Sequence, residues 1–225
     1  MEKKNLLCIG HRGAMGHAPE NTLASFAKAL ELGAHCIELD VHRVEGQLLV
    51  FHDHCVERSS DGHGERIPTL DEVIGLVGRR AGINIELKGP DTALAVAERI
   101  ARLRVDGWPD HLLLVSSFDH GQLEVLRACD SRVRLGLLYD SGSASAADLN
   151  RARPLAAYSV HLALDRVDAR WLAQARAMHL RSFVYTVNDR ADIRAMRQLG
   201  VDGVFTDYPE RVLQTNAAPM AAGWC

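Results

Sequence analysis

The sequence predicts an α/β protein built as one (β/α)8 barrel. Eight short apolar segments that favour β-strands alternate along the chain with segments of helical apolar spacing. Several strand segments are almost continuously apolar, as expected of parallel strands covered on both faces. A doubly wound sheet is the alternative, but it usually has fewer strands and a glycine-rich first turn. The predicted strands span residues 6–10, 36–41, 83–87, 112–116, 133–138, 157–161, 182–187 and 203–206.

Helical segments fall between these strands, and the sequence marks the ends of two of them. The first helix follows Pro19 and closes at Gly33, which are ordinary start and stop signals. Thr69, with Glu72 three residues later, forms the capping-box pattern at the start of the second. The predicted helices span residues 21–32, 69–77, 91–103, 120–128, 146–151, 169–178, 190–199 and 210–213.

One further β-like run, at residues 47–51, interrupts the alternation. It ends at His52 and precedes a turn-rich stretch at residues 59–64. We expect it to form a strand extension or hairpin that lifts His52 to the mouth of the barrel. The barrel is expected to span residues 1–215 as a single domain, followed by a flexible tail at 216–225.

Composition narrows the class of protein. A chain of 225 residues with 47% hydrophobic content can bury a substantial core, and a net charge of −3 without basic tracts disfavours nucleic-acid binding. The five cysteines are scattered and lack CxxC spacing, which favours a reducing compartment. The apolar run near the N-terminus is too short for a signal peptide or a membrane span. We expect a cytoplasmic enzyme without a membrane anchor that acts on a small molecule, of undetermined oligomeric state.

Acidic side chains cluster at the predicted strand ends. Glu38 and Asp40 are two residues apart on the second strand, and Glu86 and Lys88 repeat that spacing on the third. Alternate residues of a strand point to one face, so these side chains should point into the barrel mouth, where barrel enzymes carry their active sites. The residues between them should face the helices: Ile37, Leu39, Ile85 and Leu87.

Three inward carboxylates would repel one another unless their charge were compensated. A hard divalent cation with oxygen ligands, Mg²⁺ or Ca²⁺, would resolve that conflict. The alternative is an ion-pair network in which Arg12 and Lys88 neutralise the carboxylates.

His11 and His52 are the candidates for general acid–base chemistry, because imidazole titrates near neutral pH. Each neighbours another polar residue at a strand end, Arg12 and Asp53 respectively. Asp53 either orients His52 or caps the next turn. The spacing does not assign the acid and base roles.

Cationic and polar residues near the first strand complete the predicted site. The planar guanidinium of Arg12 and the ammonium of Lys88 are suited to phosphate oxygens. Glu20 and Asn21 could line the site, start the first helix, or do both.

At these residues the chain resembles the glycerophosphodiester phosphodiesterases, particularly the short bacterial cytoplasmic type. The residues match the family pattern in the same order along the chain. The resemblance covers roughly residues 5–213. It is carried by His-Arg-Gly at 11–13, Ala-Pro-Glu-Asn-Thr at 18–22, Glu-Leu-Asp-Val at 38–41, His-Asp at 52–53, Glu-Leu-Lys at 86–88, and further matches at 67–73, 116–118, 185–188 and 200–207.

The resemblance implies a (β/α)8 barrel that hydrolyses glycerophosphodiesters to sn-glycerol 3-phosphate and an alcohol such as choline, ethanolamine or glycerol. It implies a divalent metal held by Glu38, Asp40 and Glu86, with His11 and His52 as general acid and base. Arg12 and Lys88 are expected to bind phosphate. Further substrate contacts are expected at Glu20, Asn21, Ser116, Phe118, His161, Tyr185 and Asn188.

Departures from the family pattern leave the substrate preference open. Tyr185 stands where tryptophan is commoner, His17 where an apolar residue is frequent, and the stretch at 54–66 is short. Two rival functions are a lysophospholipase D with the same metal site and a non-catalytic barrel that binds a phosphorylated ligand. The first would need an apolar rim or membrane segment, which is not evident, and the second needs no paired acid and base.

Overall fold

The structure is a computed structural model that describes residues 5–52, 66–140, 148–216 and 220–224. Eight parallel strands close into a barrel, because the first strand pairs with both the second and the last. This confirms the predicted fold class. The barrel strands are β1 (Leu7–Gly10), β2 (Cys36–Val44), β4 (Gly82–Leu87), β5 (Leu113–Ser117), β6 (Arg134–Tyr139), β7 (Ser159–Ala163), β8 (Arg181–Tyr185) and β9 (Gly203–Thr206), with β3 (Gln47–Val50) attached to β2.

Helices connect the strands along the outside of the barrel. None of those within the described ranges is long and apolar enough to cross a membrane. They are α1 (Leu23–Glu31), α2 (Leu70–Val77), α3 (Thr92–Val105), α4 (His120–Cys129), α5 (Ala169–Ala177), α6 (Arg190–Leu199) and α7 (Pro209–Leu213).

The helix predicted at 146–151 is a short 3₁₀ helix at Asp148–Ala152 in its described part. Pro154 follows two residues later and disfavours helical backbone in the residue before it, so the turn does not extend into an α-helix.

The capping box predicted for α2 is present. The Thr69 hydroxyl accepts from the Glu72 amide at 3.2 Å, and the Thr69 amide donates to Glu72 Oε2 at 2.8 Å. The backbone amides of Thr69 and Glu72 are therefore both hydrogen-bonded. Gly78 ends the helix in the left-handed conformation.

The predicted hairpin after the second strand is confirmed. Strand β3 pairs antiparallel with the outer half of β2, and the turn at Glu45 and Gly46 has positive φ at both residues. After β3, the Phe51 amide donates to the Asp40 carbonyl at 3.1 Å. The hairpin thereby returns the chain to the barrel mouth, where His52 lines a cavity.

Two apolar cores lie on opposite sides of the strands. The outer core, between strands and helices, contains all four residues predicted to face outward: Ile37, Leu39, Ile85 and Leu87. The smaller inner core fills the barrel below the mouth with Leu7, Ile9, Cys36, Leu114, Phe183, Phe205 and Trp224. Strand alternation therefore holds, and it directs the even-numbered residues of β2 and β4 inward.

The expected flexible tail needs a correction for residues 220–224. Trp224 is fully buried, its indole N–H donates to the Ile83 carbonyl at 3.3 Å, and its amide donates to the His111 carbonyl at 3.0 Å. Gly82 makes room for it, since a Cβ there would lie 3.0 Å from Trp224 Nε1. Burial of the indole at the N-terminal end of the barrel offsets the entropy cost of ordering this segment.

Candidate active site

Strand alternation and strand ends bring the predicted charged residues to one cavity. The cavity has a volume of about 210 Å³ and opens at the C-terminal ends of the barrel strands. Barrel enzymes carry their chemistry at this end. The lining residues are His11, Arg12, Glu38, His52, Glu86, Lys88, Phe118, Leu138, Tyr185, Thr186 and Phe205.

Three buried carboxylates form the acidic triad of Glu38, Asp40 and Glu86. Their oxygens approach within 4.8 Å of one another, and each residue is at most 7% exposed. Asp40 and Glu86 are direct partners in the register of β2 and β4, which fixes their proximity. Burial, together with the neighbouring carboxylates, raises the pKa of Glu38 well above its usual value and that of Glu86 to about 7.

Two cations partly compensate the triad. The Arg12 guanidinium lies with Nε 3.2 Å from Asp40 Oδ2, in an ion pair without hydrogen-bond geometry, and its Nη1 donates to Glu20 Oε2 at 2.6 Å. Lys88 Nζ lies 3.3 Å from Asp40 Oδ1 and contacts Glu86 Oε1. Among the residues that the structure describes, two cations lie against three carboxylates, so full ionisation of the triad would leave net negative charge in the buried site. The oxygen-only donor set therefore fits a hard divalent cation.

Asn21 fixes the orientation of Asp40. Its side-chain amide donates to Asp40 Oδ2 at 2.9 Å, and its Oδ1 accepts from the Asp40 amide at 3.3 Å. Its φ of 56° lies in the left-handed region, which asparagine tolerates better than most residues. The N-cap of α1 is Thr22, whose side chain accepts from the Ser25 amide, so Asn21 does not cap the helix. Asn21 is instead a hydrogen-bond partner of the acidic triad.

His11 belongs to a chain of hydrogen bonds that sequence reasoning missed. Its Nδ1 lies 2.8 Å from Asp207 Oδ1, while Asn188 Nδ2 donates to Asp207 Oδ2 at 2.6 Å. The Asp207 amide donates back to Asn188 Oδ1 at 2.9 Å. Burial raises the pKa of Asp207, but the bonds from His11 and Asn188 outweigh it, and the net pKa is lowered. Asp207 therefore stays ionised and accepts a hydrogen bond from the Nδ1–H of His11.

Three aromatic side chains also line the cavity. Phe118 and Tyr185 pack edge to face with their ring centroids 6.0 Å apart. Tyr185 and Phe205 pack in the same way with centroids 6.4 Å apart. The Tyr185 hydroxyl donates to the Tyr139 carbonyl at 2.8 Å, which holds the ring in place. The cavity lining thus combines charged and aromatic side chains.

The structure places the predicted substrate contacts in three groups. Phe118 and Tyr185 line the cavity, as expected. Glu20, Asn21 and Asn188 do not, and bond instead to Arg12, Asp40 and Asp207. Ser116 and His161 need a correction, because both side chains are wholly buried inside the barrel and present no surface to substrate.

Asp207 was detectable from sequence, because it follows the last strand in the same way that His11 follows the first. Among the sequence-based predictions it appears only as the last residue of the family match at 200–207 and is given no role. The interaction considered between Asp53 and His52 falls outside the described residues.

Comparisons with known proteins agree with this geometry. A sequence model of the glycerophosphoryl diester phosphodiesterase family matches residues 11–66 and 61–211. A glycerophosphodiester phosphodiesterase from Caldanaerobacter subterraneus subsp. tengcongensis is 32% identical over an alignment of 235 positions. The alignment covers 92% of this chain and 96% of the relative.

Solved structures show the same fold. A phosphodiesterase from Oleispira antarctica in complex with its product sn-glycerol 3-phosphate superposes with a TM-score of 0.81 at 27% identity, covering 92% of this chain and 95% of the other. A glycerophosphodiester phosphodiesterase from Thermotoga maritima gives 0.78 at 29% identity, covering 94% and 99%. With the family match extending over most of the barrel, the chain belongs to the glycerophosphoryl diester phosphodiesterase family.

Proposed function

We propose that the protein hydrolyses glycerophosphodiesters to sn-glycerol 3-phosphate and an alcohol at the mouth of the barrel. The observation that carries this proposal is one cavity lined by two histidines, an arginine, a lysine and part of a buried acidic triad. The family match and the product bound to the Oleispira antarctica relative support the same reaction.

Glu38, Asp40 and Glu86 would hold a divalent metal ion, for which Mg²⁺ and Ca²⁺ are the candidates. Such an ion would supply Lewis-acid stabilisation of negative charge on phosphate oxygens. Arg12 lies against Oδ2 of Asp40 and Lys88 against Oδ1, and this position of two cations beside the triad supports a role for both in binding phosphate. Asn21 keeps Asp40 in its orientation while substrate enters and product leaves.

His11 is the general base in this proposal. Because the hydrogen bond to Asp207 keeps a proton on Nδ1, Nε2 is left to accept a proton from the nucleophile, whether water or the substrate's own glycerol hydroxyl. The imidazolium that forms would be stabilised by the adjacent carboxylate of Asp207. His52, on the hairpin side of the cavity, would then protonate the departing alcohol oxygen.

A reducing, cytoplasmic location also belongs to the proposal. Cys8, Cys36 and Cys129 are free thiols, and Cys129 is exposed, which suits a compartment that keeps thiols reduced.

The most direct test of the reaction is an assay of alcohol release from a panel of glycerophosphodiesters. Glycerophosphocholine, glycerophosphoethanolamine and glycerophosphoglycerol should be hydrolysed, with activity lost in EDTA and restored by Mg²⁺ or Ca²⁺. Preferential hydrolysis of lysophosphatidylcholine would indicate a lysophospholipase D instead. Binding of these diesters without turnover, in metal-replete buffer, would contradict an enzymatic role.

Replacement of either histidine should remove proton transfer. His11→Ala and His52→Ala are each expected to lower kcat by roughly 10²-fold or more, the usual contribution of a positioned acid or base. The matched control is His17→Ala, because His17 lies in the same loop as His11 but bonds to Glu210 and does not line the cavity. Steady-state kinetics that show near-normal kcat for either cavity histidine would refute its role.

Asp207→Asn should separate proton transfer from substrate binding. The amide keeps the shape of the side chain and can still accept from His11, but it removes the negative charge that stabilises the imidazolium. We expect kcat to fall by about 10²-fold with little change in KM, because Asp207 does not line the cavity. Asp189→Asn is the control, since Asp189 is exposed and makes no side-chain cap bond to α6. A change confined to KM would argue against this positioning role.

A further inference from the structure

The barrel interior below the cavity contains three polar side chains whose bonding is incomplete. Asn84 on β4, Ser116 on β5 and His161 on β7 are each at most 1% exposed. Asn84 Oδ1, Ser116 Oγ and His161 Nδ1 have no hydrogen-bond partner among the described residues. Buried polar atoms are almost always paired with protein or water, so these three atoms require an explanation.

Two of the three side chains lie beside carboxylates of the acidic triad. Asn84 is the register partner of Glu38, and Ser116 is the register partner of Glu86. Neighbouring strands are about 4.8 Å apart, so each polar side chain lies beside one of the buried carboxylates.

His161 lies next to this pair of residues. Gly136 is the register partner of Ser116 on β6, and a Cβ on Gly136 would come within 2.6 Å of His161 Nε2. The imidazole therefore occupies the space that a side chain at 136 would take. Its Nε2 lies 2.9 Å from Ser159 Oγ, which leaves Nδ1 for another partner. Burial lowers the pKa of His161 to about 3, so the ring is neutral and acts only through hydrogen bonds.

We propose that Asn84 and Ser116, with His161 nearby, would bind water that completes the oxygen shell of a metal ion held by the acidic triad. This inference rests on the metal site of the proposed function. Three carboxylates that each give one oxygen would leave positions open in the octahedral shell of Mg²⁺ or the six- to eight-oxygen shell of Ca²⁺, and Mg²⁺ in particular retains several waters. Asn84 and Ser116 are thus positioning residues that act on the metal through water, and Ser116 is not a substrate contact.

The neighbouring serine provides a matched control. Ser117 is as fully buried as Ser116 but points to the opposite side of β5. Its hydroxyl is fully engaged, donating to the Leu87 carbonyl at 3.1 Å and accepting from the Asp119 amide at 3.0 Å. The two serines therefore differ in bonding and direction while sharing residue type, strand and burial.

The experiment compares metal affinity and stability in the full chain without substrate. Mg²⁺ and Ca²⁺ are titrated calorimetrically into metal-stripped wild type, Ser116→Ala and Ser117→Ala, and thermal unfolding is recorded in EDTA. Ser116→Ala should bind the cation about tenfold more weakly, as for other residues that support metal ligands, with metal-free stability unchanged or raised. Ser117→Ala should show the reverse: unchanged affinity and lowered stability, because it loses two hydrogen bonds.

The outcomes separate this inference from the proposed function. Equal affinities for wild type and Ser116→Ala would overturn the inference while leaving the metal site intact. A wild type that binds neither cation would overturn both. Asn84→Ala is a second variant in case Ser116→Ala misfolds, and an affinity equal to that of wild type would likewise overturn the inference.

Discussion

Mutual repulsion among Glu38, Asp40 and Glu86 is the constraint around which the mouth of this barrel is organised. Their oxygens lie within 4.8 Å of one another with almost no exposure to solvent. Burying like charges together is costly unless each is paired or coordinated to a cation. Arg12 and Lys88 supply two compensating charges, while Asn21 and the Arg12 backbone amide supply hydrogen bonds. Burial, reinforced by repulsion among the carboxylates, raises the pKa of Glu38 and of Glu86, so a further cation would favour their ionised forms.

The two faces of the barrel strands have different roles: one packs against the helices, and the other carries the charged site. Residues that face the helices form the larger core, and they are aliphatic on β2 and β4. Residues that face inward change character along the barrel axis, from Trp224 and Phe183 at the bottom to the acidic triad at the top. The apolar lower barrel holds the strands in fixed register. That register in turn sets the distance between Asp40 and Glu86, so the geometry of the charged site depends on packing several residues away.

The parts of the site that sequence reasoning predicted follow from strand periodicity. Glu38 and Asp40 share a face because side chains alternate along a strand, and the hairpin that carries His52 follows from a second β-like run after β2. Asp207 was missed as a partner of His11 because the two residues are 196 positions apart, and only closure of the barrel brings β9 beside β1.

Ser116, His161 and Trp224 show a second limit of sequence reasoning. Substrate roles were expected for Ser116, within the motif at 116–118, and for His161, at the end of a predicted strand. Their depth in the barrel depends on where the strands end, which the sequence pattern does not encode. Trp224 lies in a short segment without periodicity, so its burial depends on the space left by Gly82. Such packing becomes visible only when the three-dimensional arrangement is known.

Thermal unfolding of Glu38→Gln at about pH 8, with and without metal, tests most directly whether the triad is a metal site. A carboxyl group whose pKa is raised by folding destabilises the folded state at pH values above that pKa. We therefore expect Glu38→Gln to unfold at a higher temperature than wild type in EDTA, and to lose the stabilisation that Mg²⁺ or Ca²⁺ gives to wild type. A lower unfolding temperature in EDTA, with no effect of either cation on wild type, would identify the triad as a structural ion-pair network and contradict this account.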